Sequence, residues 1–200
     1  MFAVTVFQDQ TLARTCIQSL KKFYSDPIVC FADGTQDEAF ENFCKDQDVS
    51  YIEGSRLKLP RYRGAWTRRF MLEFLCTKEQ ILIKVDPDTV VNSHAVIPEA
   101  EAFGTIRNEW VLSGAAVGFR RSCVERIMLS GLLLDPIYET KFYYPRFYPP
   151  FLKPGETQST EMISCQDEIT TDVMRRLKIP YSDWPSVSLN NPNAPFFHKP

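Results

Sequence analysis

Four apolar runs in the first half of the chain, alternating with segments whose apolar residues recur every three or four positions, restrict this sequence most. Phe2 to Phe7, Ile28 to Ala32, the weaker Val49 to Ile52 and Ile81 to Val85 are short enough for strands and are bounded by turn-forming residues. Between them lie Leu12, Cys16, Ile17, Leu20 and Phe23, then Phe40, Phe43 and Cys44, then Phe70, Met71, Phe74 and Leu75 within 65–77. Each set falls on one face of a helix at 3.6 residues per turn. Strand alternating with helix predicts an α/β fold: a mixed, mainly parallel central sheet flanked by helices and joined by right-handed crossovers.

The second half is less regular. Trp110 to Ser113 and Ala116 to Phe119 predict short strands around Gly114, followed by a helix near Ser122 to Ser130. Residues 135–160 are rich in proline, tyrosine and phenylalanine, and predict an irregular aromatic loop, including Tyr138 to Phe151, of a length that usually covers a site. Ile169, Val173 and Leu177 indicate a helix opening at Gln166-Asp167-Glu168, and Pro185 to Pro200 predicts an extended tail. No internal repeat interrupts this order, so residues 1–200 read as a single domain with a first half, 1–92, and a second half, 93–200.

With 44% hydrophobic residues over 200 positions the chain can bury a proper core, which excludes a disordered tail protein. Its formal net charge is -2, from 23 basic and 25 acidic residues spread along the chain, so no basic face for nucleic acid is expected. The six cysteines are widely spaced without CxxC pairing and read as buried free thiols. No run reaches the ~18 apolar residues of a membrane span. Phe2 to Phe7 is too short for a signal peptide and lacks its basic start. The expectation is a soluble, cytoplasmic protein in a reducing compartment. The chain would also suit a domain of a longer multidomain protein.

Function is most legible at Ile81-Leu82-Ile83-Lys84-Val85-Asp86-Pro87-Asp88, where an apolar strand breaks into two carboxylates one residue apart. In open α/β sheets ligands bind beyond the carboxyl ends of the strands, so Asp86 and Asp88 fall where a substrate sits. Carboxylates are hard oxygen ligands of the kind Mn²⁺ and Mg²⁺ prefer, and those ions complete their coordination with water and phosphate oxygens. The competing reading is a pair of turn or helix-capping carboxylates. Of the two histidines, His198 lies in a polar, proline-rich tail where packing explains little, and imidazole is a good Mn²⁺ ligand beside carboxylates. His94 reads as a surface residue.

Several segments taken in order resemble family-2-like glycosyltransferases of the GT-A (Rossmann-like) fold. Leu12 to Leu20, Ile28 to Ala32 and Asp33-Gly34-Thr35 resemble the opening of that fold with its acidic turn after the second strand. Gly64 to Arg69 is similar to the helix start that carries a nucleotide-contacting arginine, and Asp86-Pro87-Asp88 to the metal-binding D-x-D. Ser113 to Phe119 is similar to the glycine-containing acceptor-side segment, Gln166-Asp167-Glu168 to the catalytic carboxylate region, and Phe197-His198 to the C-terminal metal histidine. The chain departs from the pattern at Ala32, where many members carry a second aspartate, and in the shifted acids at Asp167 and Glu168.

The resemblance implies a hexosyl- or deoxyhexosyl-transferase that moves a sugar from a UDP-sugar donor to a hydroxyl of a glycan or glycoconjugate. Asp86, Asp88 and His198 would bind Mn²⁺ or Mg²⁺. Thr5, Phe7 and Asp33 would hold the nucleoside, Trp66 would pack on it, and Arg68 or Arg69 would neutralise the diphosphate. Phe7 is equally at home in a core, a core place is the more frequent one for Trp66, Asp33 could simply close a turn, and one of the arginines could lie on a solvated helix face. Gly114 and Ala115 would shape the acceptor side. Asp167, or Glu168 beside it, would be the general base of an inverting transfer; the alternative for Asp167 is a helix cap.

Rival readings remain at this level. A haloacid-dehalogenase-like phosphatase would use Asp86 as its nucleophile, but its strand belongs near the start of the domain. A sugar-nucleotide pyrophosphorylase would need a glycine-rich loop after the first strand, and Phe7 to Thr11 has no glycine. A non-catalytic carbohydrate- or partner-binding module would bind through the aromatic loop.

Overall fold

A computed structural model describes residues 1–34, 37–54, 63–107, 109–135, 166–188 and 190–198. Strands β1 (Phe2–Val6), β2 (Ile28–Ala32), β3 (Ser50–Ile52) and β4 (Ile81–Val85) alternate with helices α1 (Gln10–Phe23), α2 (Glu38–Asp46) and α3 (Arg63–Leu75). Then follow β5 (Thr89–Val91), β6 (Ala102–Arg107), β7 (Val111–Arg120), α4 (Arg121–Ser130) and a 3₁₀ turn at Leu132–Leu134. Helix α5 (Gln166–Arg176) and strands β8 (Tyr181–Asp183), β9 (Val187–Ser188) and β10 (Phe196–His198) complete the described elements.

Local sequence accounts for these elements. Helix α1 buries Ala13, Cys16, Ile17 and Leu20, a stripe at helical spacing, and carries Lys21 and Lys22 in its last turn, where positive charge complements the exposed carbonyls. Helix α2 is capped by Asp37, whose side chain accepts from the Phe40 N–H, and has Glu38 and Glu41 in its first turn. All five residues of β1 and of β2 are buried, as expected of interior parallel strands covered on both faces.

The central sheet has seven strands in the order β3-β2-β1-β4-β7-β6-β8. Only the pairings of β7 with β4 and β6 are antiparallel; the others are parallel, so the sheet is mixed and mainly parallel as the alternation predicts. One face packs Leu82, Val117 and Phe119 against Trp66, Phe70, Phe74, Ile169 and Val173. The opposite face packs Val4, Ile83 and Val85 against Cys16, Ile17, Phe40, Trp184 and Phe196. Because side chains alternate along a strand, Lys84 shares the face of Leu82 and points toward α3 and α5.

Three features differ from expectation. The two short strands predicted around Gly114 are one ten-residue strand, β7. Gly114 has φ +113°, and the β6–β7 register shifts between Phe103 and Thr105, so an irregularity at a glycine carries the strand on where the sequence suggested a break. The proline-rich tail is not merely extended: β10 lies between β5 and β9 in a second, three-stranded sheet. Of the cysteines, Cys16, Cys30, Cys44 and Cys123 are buried free thiols as predicted, whereas Cys76 is exposed and Cys165 lies outside the described residues. The aromatic segment Tyr138 to Phe151 also lies outside them. Among the described residues no helix is long and apolar enough to cross a membrane.

Candidate metal centre

The acidic turn is built by backbone geometry before any ligand is considered. The Thr89 N–H donates to the Asp86 carbonyl at 3.1 Å, closing a four-residue turn in which Pro87 holds the second position, the place proline favours. Strand β7 clamps this turn from below. The Ala115 carbonyl accepts from the Asp86 N–H at 2.9 Å and from the buried Thr89 hydroxyl at 3.0 Å. From behind, the Cys16 thiol of α1 donates to the Asp86 carbonyl at 3.7 Å. Burial, and after it the charges of Asp86 and Asp88, push this thiol far above its ordinary range, so it stays protonated.

His198 arrives through the second sheet. In the antiparallel pairing of β5 with β10, Phe196 is opposite Val91, Phe197 opposite Val90 and His198 opposite Thr89, which sets the imidazole beside the residue preceding Thr89. His198 Nε2 lies 2.8 Å from Asp88 Oδ2. Asp86, Asp88 and His198 each offer one ligand atom, and these atoms lie within 4.8 Å of one another. The other Asp88 oxygen, Oδ1, is buried and has no hydrogen-bond partner among the described residues. An orphaned carboxylate oxygen is costly, and a cation would satisfy it.

These residues fit a hard divalent cation: two carboxylates and an imidazole, all half-buried. Two oxygen ligands of one Mg²⁺, each at ~2.1 Å, are at most about 4.2 Å apart. The 4.8 Å spread lies above this limit, so binding would draw the three side chains inward.

Lys84 is the residue that sequence reasoning missed. Its Nζ lies 2.6 Å from Asp86 Oδ1 and 3.7 Å from Asp167 Oδ1, with 4% of its side chain exposed. The only signal was a single charge inside an otherwise apolar strand, which demands a partner once the strand is buried. Between Lys84, Asp167, Trp66, Thr67 and Thr170 lies a cavity of about 10 Å³, room for one water at most. The Thr67 and Thr170 hydroxyls meet across it at 3.4 Å, joining α3 to α5.

No family model matches the sequence, and no curated protein matches it either.

The remaining residues expected at the site divide by position. Thr5, Phe7 and Asp33 sit at or just past the carboxyl ends of β1, which pairs in parallel with β4, and of β2 next to it, so they share one edge of the sheet with Asp86 and Asp88. The Phe7 N–H donates to Asp9 Oδ1 at 2.7 Å, and the buried Asp33 donates its N–H to the Val6 carbonyl at 2.9 Å. Arg69 is engaged with backbone: its guanidinium donates to the carbonyls of Ala32, Ile52 and Glu53, tying together the ends of β2 and β3. Burial pulls its pKa down while Asp33 acts in the opposite sense. Arg68 is half-buried on the same helix. Trp66 is buried edge-on to Phe70, with ring centroids 5.1 Å apart, and belongs to the core.

Asp167 and Glu168 stand in the first turn of α5, both half-buried, and Asp167 is the one brought to Lys84. Ala115 has a role not anticipated from sequence, since its carbonyl anchors the acidic turn. Gly114 is required where it stands: a Cβ there would meet Thr105 Oγ1 at 2.9 Å, in a backbone conformation that side chains resist.

Proposed function

We propose that the protein is a metal-dependent glycosyltransferase that moves a sugar from a UDP-linked donor to an acceptor hydroxyl of a glycan or glycoconjugate. The observation that carries this reading is the convergence of Asp86, Asp88 and His198 at the carboxyl edge of a mainly parallel sheet. Mn²⁺ or Mg²⁺ held by these three would offset the charge of a departing diphosphate. Thr5, Phe7 and Asp33 along the same edge would receive the nucleoside, with Arg68 toward the diphosphate and Gly114 and Ala115 on the acceptor side. Asp167 would take the proton of the acceptor hydroxyl, giving inversion at the anomeric carbon, with Glu168 as the alternative base. Residues 1–92 would then be the nucleotide half and 93–200 the acceptor half of one domain.

A panel of UDP-sugars incubated with the protein and Mn²⁺, read as UDP release, tests the reading. Metal-dependent release from one donor supports it. Absence of metal-dependent UDP binding sinks it and favours a binding module. Turnover of an aryl phosphate, with substrate phosphate attacked by Asp86, would replace it with a phosphatase.

A further inference from the structure

We propose that Lys84 is a positioning residue: its buried ammonium ties the metal-side carboxylate of Asp86 to the base carboxylate of Asp167 and thereby sets their separation. The inference rests on the transferase reading for the role of Asp167, but the ion pair and its effect on cation binding do not depend on it.

The two carboxylates belong to elements far apart in sequence, the turn after β4 and the first turn of α5, and a single ammonium faces both, at 2.6 and 3.7 Å. Stability does not explain a lysine here. A charge in an apolar strand must be desolvated, and replacing a buried ion pair with apolar side chains is often neutral or stabilising. Asp86 and Asp167 keep 25% and 18% of their side chains exposed, so they would remain solvated if Lys84 were apolar. The lysine therefore acts on the placement and charge of the two acids. It occupies Asp86 Oδ1, which leaves Oδ2 for a cation, and its own positive charge opposes a second cation beside Asp86. Removing it should tighten metal binding while loosening Asp167. A lysine that only held the fold together would weaken both.

The test compares wild type with Lys84→Met and Lys84→Arg in the full chain. Calorimetric titration with Mn²⁺ alone is expected to show several-fold tighter binding for Lys84→Met. With a competent UDP-sugar, kcat is expected to fall by about 10²-fold, the scale of a misplaced reacting group, with donor KM changed by less than about threefold. Lys84→Arg should recover part of kcat. In a double-mutant cycle, Lys84→Met should add little to the loss caused by Asp167→Asn, because the lysine acts through that carboxylate. Weaker Mn²⁺ binding and lower kcat in parallel with a lower Tm would overturn the proposal, as would unchanged kcat or an additive cycle. If Lys84→Met fails to fold, Lys84→Arg and Lys84→Gln carry the same comparison. If no UDP-sugar is turned over, the transferase reading fails by itself, and the Mn²⁺ titration still decides whether Lys84 opposes the cation.

Discussion

Thr89 and His198 are opposite one another in the antiparallel pairing of β5 with β10, so the imidazole is placed by a backbone ladder and not by its own contacts alone. The next inward-facing residue of that ladder, Phe196, is fully buried with Phe2, Tyr24 and Trp184 around its ring. Phe196→Ala should cost about 3–5 kcal/mol of stability. It should also weaken Mn²⁺ binding although no ligand is touched. His198→Ala is expected to lower the affinity at least about tenfold, equivalent to ~1.4 kcal/mol. Calorimetric titration of both variants checks the pair: if Phe196→Ala binds Mn²⁺ as wild type does, β10 is not what positions His198.

Asp167→Asn should leave UDP binding with Mn²⁺ intact and lower transfer by about 10²–10⁴-fold, the usual contribution of a general base. Transfer at a near wild-type rate would shift the role to Glu168.

Thr89→Val removes a buried hydroxyl while keeping its shape. Its partner, the Ala115 carbonyl, still accepts from the Asp86 N–H, so the loss should be limited to about 1 kcal/mol, measured by chemical denaturation. A much larger loss would mean that the hydroxyl, and not the backbone bond, holds the acidic turn.

Thiol reactivity should separate the cysteines by environment. Cys76 is exposed and should be alkylated first in the native protein. Burial pushes the Cys123 thiol up to about 12 and Cys16 higher still, so neither forms appreciable thiolate at pH 8. Cys30 and Cys44 share a hydrogen bond that raises Cys30 and lowers Cys44, so while the fold is intact Cys44 should react before Cys30. Mass-spectrometric mapping after brief labelling gives the order, and early modification of Cys16 would contradict the buried environment described for it.

The first half of the fold was legible because its strands and helices carry their own periodicity: α1 through β4 follow from runs such as Ile28 to Ala32 and stripes such as Cys16, Ile17 and Leu20. The acidic turn was legible for the same reason, an apolar run ending on Asp86 and Asp88. Strands β8, β9 and β10 were not. They span two or three residues each, too few for a pattern, and exist because partners distant in sequence pair with them. His198 was singled out by composition, but its route to Asp88 depends on that pairing. Lys84 was hidden because a lysine within Ile81 to Val85 gives no hint of which carboxylates will meet it.

The docking of β10 has a consequence for the order in which the protein is made. The Asn92 side chain donates to the carbonyls of Pro192 and Ala194, 100 and 102 residues further along the chain, so the second sheet can close only after nearly all of the described sequence exists. At ~5–20 residues per second, Asp86 and Asp88 leave the ribosome roughly 5–20 s before the histidine that joins them. A nascent or truncated chain would carry both acids without the third ligand, and tight retention of Mn²⁺ would mark the molecules in which β10 has found its place.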